Sequence, residues 1–124
     1  MNNLAKRIDI DDPDVDMDAA QRLLYRGVPF TGEVAEYFGE KVISLDVYVD
    51  GLQDGLSREW YEDGTLRSEG AVRRGFPCGE FKEWHANGVL ASRKVFDEDG
   101  LTLREESQWD EHGRPTRNWH LGDA

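Results

Sequence analysis

Large apolar side chains recur along this chain at a fixed distance, and polar residues and glycines separate them. In one unit Gly51 and Gly55 are followed by Trp60, Gly64 and Leu66. A second unit repeats the same order and the same spacings 24 residues later, with the equivalent positions Gly75, Gly79, Trp84, Gly88 and Leu90. A fixed period in this range is typical of an array built from one small structural unit.

The period can be followed beyond these two units. Tyr37, Trp60, Trp84 and Trp109 mark four copies, at steps of 23, 24 and 25 residues. A unit that tolerates changes of one residue carries them in loops, because an insertion in a strand would reverse the faces of its side chains. In the last copy Pro115 stands where the second and third copies have Leu66 and Leu90. This predicts an edge strand, because proline cannot donate to a sheet ladder.

Each unit is predicted to form a β-hairpin. Residues 57–61 and 65–69 are rich in strand formers and flank Glu62-Asp63-Gly64, and Asp-Gly between such runs is a strong hairpin signal. The other connection, residues 73–79, contains two glycines and a proline and is predicted to be looser. The pattern therefore predicts an all-β fold, an antiparallel β-hairpin repeat meander with a period of about 24 residues and about eight to ten strands.

Side-chain alternation along the strands then assigns the two faces. Trp60 is predicted to lie opposite Leu66, with Trp84 opposite Leu90 and Tyr37 opposite Ile43, so that one aromatic and one aliphatic residue per repeat form the hydrophobic core. The other face is predicted to be solvated and charge-paired, with its charges on Glu36, Glu59, Glu83, Arg67, Glu69 and Arg93.

The start of the chain differs from the repeats. Residues 1–22 carry six aspartates against three basic residues, and we expect an acidic N-terminal segment that is extended or forms an edge strand. Residues 23–124 are then a single β-repeat domain. A calcium-binding EF-hand loop needs Gly at its sixth and Glu at its twelfth position; counted from Asp9, those positions hold Asp14 and Ala20, so the match fails.

The net charge restricts the classes of partner. The 124 residues sum to −11, with a pI near 4.6. Such a chain is expected to repel nucleic acid and anionic membranes and to attract basic proteins. It contains no apolar run of membrane-spanning length and its first seven residues lack the apolar stretch of a secretory signal, so we expect a cytoplasmic protein that binds neither nucleic acid nor membrane.

No pattern in the sequence points to catalysis. No nucleophile–base arrangement is visible, and His85 occupies the repeat position of Tyr61, so packing explains it. A two-histidine metal site from His112 and His120 remains an alternative, and Cys78, the single cysteine, is either a reactive thiol or a tolerated turn residue. We predict no enzyme, no catalytic residue, no cofactor and no metal.

The repeat motifs resemble the MORN-repeat-variant family. The resemblance covers about residues 25–113 and rests on Gly51-x-x-x-Gly55 with Trp60-Tyr61-Glu62-Asp63-Gly64-Thr65-Leu66, and on the equivalent residues 75–90. It implies an array whose motif residues are structural, with glycines in turns and aromatic residues in the hydrophobic stripe. Small bacterial members of this family are described as antitoxins or immunity proteins, so the resemblance implies that role.

We therefore predict an antitoxin or immunity protein that neutralises a cognate bacterial toxin by direct binding through an acidic surface. The partner is expected to be a protein toxin with a basic active-site cleft. The alternative is a non-enzymatic scaffold or membrane-proximal MORN-type repeat module. The residues predicted to bind the partner are Glu59, Glu62, Asp63, Glu83, Asp97, Glu98, Asp99, Asp110 and Glu111.

Overall fold

The computed structural model describes residues 6–122. The predicted segments 1–22 and 23–124 extend past this range at residues 1–5 and 123–124, which lie outside the described residues. Between residues 6 and 122 the structure contains twelve strands and no helix: β1 (Arg7–Asp9), β2 (Val15–Met17), β3 (Leu23–Tyr25), β4 (Val28–Pro29), β5 (Gly32–Phe38), β6 (Lys41–Val49), β7 (Leu52–Trp60), β8 (Leu66–Arg73), β9 (Phe76–Trp84), β10 (Leu90–Phe96), β11 (Leu103–Trp109) and β12 (Pro115–His120).

Nine of these strands form one sheet in the order β1-β5-β6-β7-β8-β9-β10-β11-β12. Every consecutive pair from β5 to β12 is antiparallel, as chain neighbours in a meander are, while β1 joins β5 in parallel at one edge. The short strands β2, β3 and β4 form a second, three-stranded sheet. The predicted all-β hairpin meander is confirmed, and β12, which begins at Pro115, is an edge strand of the large sheet.

Two tight turns explain the first glycine of the motif. Asp50-Gly51 and Arg74-Gly75 each join two strands directly, and all four residues have positive φ, from 50° to 88°. That geometry is the two-residue hairpin turn whose twist matches a β-sheet, and glycine fits its second position without strain. The prediction of a looser connection at residues 73–79 was wrong, because only Arg74 and Gly75 lie outside the strands.

The second glycine of the motif lies in a bulge. Between β6 and β7 the register passes from Asp46 opposite Ser57 to Tyr48 opposite Gln53, so β7 has two extra residues around Gly55. A Cβ on Gly55 would come within 2.9 Å of the Val47 side chain. Between β8 and β9 a similar shift adds residues 79 and 80. Each bulge bends its strand. Because side chains alternate between the two faces with a period of two, an excess of two residues leaves the side chains beyond the bulge on the same faces as before it.

The buried core lies at the N-terminal end of the sheet. Ile8, Leu23, Phe30 and Val34 form one cluster in which each is at most 6% exposed, and Val15, Tyr25 and Tyr48 pack against it. The predicted core was wrong, because the tryptophans of the repeats are only half-buried. The repeats form a single layer with no second layer over the tryptophans, whereas the small sheet and β1 supply that cover around Ile8.

The cross-strand register was predicted in part. Trp60 lies opposite Leu66 and Trp84 opposite Leu90, as expected. Tyr37 lies opposite Val42, so its predicted partner Ile43 was wrong. The β5–β6 connection holds only Gly39 and Glu40, whereas the later connections at the same end of the sheet, after β7, β9 and β11, each have five residues. The shorter loop moves the partner by one residue.

Candidate protein-binding surface

One face of the large sheet carries a row of alternating glutamates and serines. Successive cross-strand partners along this row, which we call the Glu–Ser ladder, are Glu36, Ser44, Glu59, Ser68, Glu83 and Ser92. The Ser68 hydroxyl donates to Glu59 at 2.9 Å. Since neighbouring strands are about 4.8 Å apart, each of the three glutamates stands roughly 10 Å from the next one along the row.

The charged residues predicted to accompany these glutamates were partly assigned to the wrong face. Glu69 lies opposite Arg58 and forms an ion pair with it at 2.7 Å, and Arg93 bonds Glu80 and Glu105. Because successive residues of a strand point to opposite faces, the face that bears Arg58 is the reverse of the one that bears Glu59. The ion pairs of Arg58 and Arg93 therefore belong to the reverse face, and the Glu–Ser ladder has serines where cations were expected. Lys94 and Glu106, which pair at 4.0 Å, lie on the same face as the ladder.

An aromatic cleft of about 330 Å³ opens on the same face as the ladder. The Phe81 ring lies across the backbone of Gly70, where an added Cβ would be 2.4 Å from the ring. Phe96 meets Phe81 edge-on, with ring centroids 6.2 Å apart. We call this the Phe81 cleft, and its lining is Gln53, Ser57, Val72, Gly75, Pro77, Phe81, Glu83, Lys94 and Phe96.

Asp46 adds a half-buried carboxylate beside the cleft. Its Oδ1 accepts hydrogen bonds from the Ser57 hydroxyl at 2.6 Å and from the Gln53 amide at 2.7 Å, and both donors line the cleft. Burial raises the pKa of Asp46, the nearby Glu59 charge raises it further, and the two hydrogen bonds act against that rise. The negative charge of this face is therefore only partly compensated by the protein itself.

The structure distributes the nine predicted site residues over three places. Glu59 and Glu83 lie in the Glu–Ser ladder. The connections of a meander alternate between the two ends of the sheet, so the loops containing residues 62–63 and 110–111 lie at one end and the loop containing residues 97–99 at the other. The acidic tips are thus not a single row.

Most of the aspartates among these residues hold their own loops. The Asp63 carboxylate accepts from the Thr65 amide, and Asp110 accepts from the amides of His112 and Arg114. These hydrogen bonds to backbone amides are the main cause that lowers the pKa of Asp63 and of Asp110. Such a carboxylate shapes its turn and offers little to a partner.

In the other acidic loop, the two aspartates are also held by contacts within the protein, whereas the glutamate is not. Asp99 accepts hydrogen bonds from the backbone of Leu101 and Thr102 and from the Thr102 hydroxyl, and these lower its pKa. Asp97 pairs with Arg104 at 3.1 Å. Fully available carboxylates therefore belong to the exposed glutamates, since the side chains of Glu62, Glu83, Glu98 and Glu111 make no hydrogen bond or ion pair with residues 6–122.

Hydrogen bonds between repeats fix the end of the sheet that carries Glu62 and Glu111. The Tyr61 hydroxyl donates to the Trp84 carbonyl at 2.7 Å, and the His85 ring bonds the Trp109 carbonyl at 2.8 Å. Because a carbonyl only accepts, His85 donates through Nε2. The sequence predicted only a packing role for His85, and this hydrogen bond was not predicted, although Tyr61 and His85 share a repeat position and both carry a donor on a ring.

The histidine and cysteine alternatives gain no support from the geometry. In the part of the chain from residue 6 to residue 122, no three His, Cys, Asp or Glu side chains are grouped so that they could hold a metal ion. His120, on the edge strand β12, pairs with Glu105 of the neighbouring strand β11. Cys78 is a half-buried free thiol. The same residues include no helix long and apolar enough to span a membrane.

Comparisons with known proteins identify the repeat but nothing larger. Neither the curated proteins nor the solved structures contain a significant match to this chain. The family described as MORN repeat variant matches two segments, residues 53–71 and 77–98. These segments contain most of β7 to β10 with their hairpin loops, so the strands that carry Glu59, Glu83 and most of the Phe81 cleft are similar to MORN repeat variants.

Proposed function

We propose that this chain is a non-enzymatic binding protein of the antitoxin or immunity type, which acts in the cytoplasm. It neutralises a protein toxin by occupying the toxin's basic active-site cleft. The observation that carries the proposal is the Glu–Ser ladder, because it presents uncompensated carboxylates at a regular spacing on an open sheet face.

The electrostatics support a basic protein as the partner. The net charge of −11 attracts such a partner over a distance set by the Debye length, and it raises the rate of encounter. The Glu83 side chain forms no ion pair or hydrogen bond with residues 6–122, so it retains the charge that a partner would neutralise. The acidic residues 97–99, at the other end of the sheet, add to the negative electrostatic potential that attracts a basic partner.

The size of the face also supports a protein partner. A standard interface buries about 800 Å² on each side, which is more than the Phe81 cleft offers and requires several adjacent strands. The ladder crosses β5 to β10 without interruption. The hydrogen bonds of Tyr61 and His85 hold neighbouring repeats together, so binding requires little ordering of this surface.

Co-expression tests the proposal directly. A neighbouring gene whose product is lethal alone should become harmless when this chain is present, and the two proteins should co-purify. Replacing Glu59 and Glu83 together by Lys should weaken binding at least about tenfold, because two attractive contacts become repulsive. Asp11 is exposed and its side chain has no partner among residues 6–122, so Asp11→Lys is a control for charge reversal outside the ladder.

The salt dependence provides a second criterion. Binding through exposed carboxylates should weaken steeply between low and physiological ionic strength. If the affinity is independent of salt, or if the ladder variant binds as tightly as the Asp11→Lys control, the acidic interface is wrong. If no neighbouring gene product is toxic, the antitoxin role is wrong.

A scaffold or membrane-proximal module is the second candidate, and one observation favours it. Phe76 is 50% and Leu101 76% exposed, and a Cβ on Gly100 would lie 2.4 Å from that of Phe76, so the two residues form an apolar tip. An exposed apolar patch is typical of attachment sites. Pull-downs that recover the same non-toxic protein or lipid, and lose it in Phe76→Ser, would support this role.

A further inference from the structure

We propose that the Phe81 cleft binds the side chain of an arginine carried by the partner protein. This inference rests on the proposed function, because it names the group by which a basic partner is anchored on the Glu–Ser ladder. The cleft volume of about 330 Å³ is at the small end of ligand pockets. It therefore suits one long side chain that projects from a larger surface.

The wall of the cleft contains two aromatic rings. One face of Phe81 covers the backbone of Gly70 so closely that only glycine fits beneath it. Phe96 contacts the ring at an interplanar angle of 89°, and both rings line the cleft. A guanidinium in the cleft that lies over the face of a ring, within about 6 Å of its centroid, is attracted by the ring quadrupole.

The charges around the cleft select a cation. Glu83 forms part of the cleft wall and its carboxylate has no partner among residues 6–122. Asp46 lies behind Ser57 and Gln53, which both line the cleft and bond its carboxylate. Lys94 also lines the cleft, but its ammonium lies 4.0 Å from Glu106 and is paired there. The cleft thus has an unneutralised carboxylate beside an aromatic ring.

Arginine fits these two features better than lysine does. A planar guanidinium stacks on an aromatic ring while its edge donates two hydrogen bonds to a carboxylate, whereas an ammonium is compact and strongly hydrated. The methylenes of arginine contact apolar side chains as they pass, and Val72 and Pro77 provide those contacts in the cleft.

A peptide titration followed by ¹⁵N–¹H NMR tests the inference with the whole chain. The probe is an acetylated and amidated pentapeptide, glycine-proline-arginine-proline-glycine, at millimolar concentration. We expect shifts of the amide signals of Gly70, Phe81 and Phe96. The citrulline version keeps the shape but removes the charge, and it should bind about tenfold more weakly. The lysine version should fall between the two.

Protein variants locate the site. Glu83→Gln should weaken the arginine peptide about tenfold, while Asp11→Asn, which removes the same charge far from the cleft, should leave its affinity unchanged. Phe81→Leu keeps an apolar cleft but removes the ring, so it should abolish the preference for arginine over lysine. A thermal melt of each variant confirms that it is folded before it is titrated.

Several results would overturn the inference. These are the absence of shifts with the arginine peptide, shifts confined to residues outside the cleft, equal binding of the citrulline peptide, and equal effects of Glu83→Gln and Asp11→Asn. The proposed function fails separately. If the peptide binds in the cleft but no toxin is neutralised, the antitoxin role is wrong and the arginine site stands. If a toxin is neutralised equally well by Glu83→Gln and Phe81→Leu, the arginine site is wrong and the antitoxin role stands.

Discussion

The Tyr61 hydroxyl donates a hydrogen bond of 2.7 Å to the carbonyl oxygen of Trp84, which lies one repeat further along the chain. The His85 ring makes the equivalent bond to Trp109. Each ring therefore ties its own hairpin loop to the strand end of the next hairpin. This contact adds a side-chain link between repeats to the backbone ladder of the sheet.

Tyr61→Phe should lower the free energy of unfolding by about 1 kcal/mol, because it removes one net hydrogen bond while keeping the ring. Urea denaturation followed by tryptophan fluorescence measures the change. The Trp84 carbonyl lies at a strand end where water can replace the hydroxyl, so a larger loss is not expected. An unchanged midpoint would show that the link between repeats contributes nothing to stability.

Gly70→Ala should destabilise the protein by about 1–3 kcal/mol. The new Cβ would lie 2.4–2.5 Å from three atoms of the Phe81 ring, so the ring must leave its position over β8. Because Gly70 does not have a positive φ, the loss would come from this collision and not from backbone strain. Chemical denaturation of the two proteins measures the difference.

A double-mutant cycle separates the collision from other effects of the alanine. In the Phe81→Leu background the ring is absent, so Gly70→Ala should cost much less than in the wild-type protein. A coupling of at least about 0.5 kcal/mol is expected for residues in contact. Additive losses would contradict the assignment of Phe81 to the surface of Gly70.

Leu23→Ala should lower the free energy of unfolding by about 2–5 kcal/mol, the range found for buried leucines. Leu23 is 2% exposed and lies in the N-terminal core. Leu101 is 76% exposed, so Leu101→Ala should change stability by less than about 0.5 kcal/mol. Thermal denaturation of both variants compares them. Equal losses would mean that the repeat region is as tightly packed as the N-terminal cluster.

Stability should fall in acid as the loop aspartates gain protons. Backbone hydrogen bonds lower the pKa of Asp99 below its ordinary value of 3.8. The unfolded chain then binds the proton more readily, so the contribution of Asp99 is fully present above about pH 4 and is lost as the pH falls through its lower folded value. Asp99→Asn keeps an acceptor but cannot titrate, so the variant should lose less stability than the wild type between pH 5 and pH 2. Melting temperatures across that range measure the difference.

The repeated part of the fold was predictable from the sequence. A glycine–tryptophan–glycine–leucine order at a constant spacing determines both the hairpin turn and the pairing of Trp60 with Leu66. These features depend on the residues of each turn alone, and the same residues recur at the same spacing in successive copies. Arg74 was assigned to a longer connection, because a positive φ is unusual for arginine. The turn at Asp50-Gly51 was not predicted, although Asp-Gly is itself a hairpin signal.

The positions of the core and of the charged face depend on contacts that no single repeat contains. Leu23 and Ile8 are buried because a second small sheet and a parallel strand come together there, and neither follows the period. Glu59 and Glu69 were assigned to one face because both occur in the same hairpin. Their positions in the register place them on opposite faces. The Phe81 cleft needs residues from β7 to β10 together, which only the folded sheet shows.

The N-terminal position of the core gives the molecule a direction of assembly. Ile8, Leu23, Phe30 and Val34 all precede the later hairpins in the chain, so during synthesis this cluster, the only large buried one within the described residues, can form before those hairpins exist. Each following hairpin then adds to an edge that is already formed. A chain organised in this way can gain or lose hairpins at its C-terminal end during evolution while the part that starts folding stays the same.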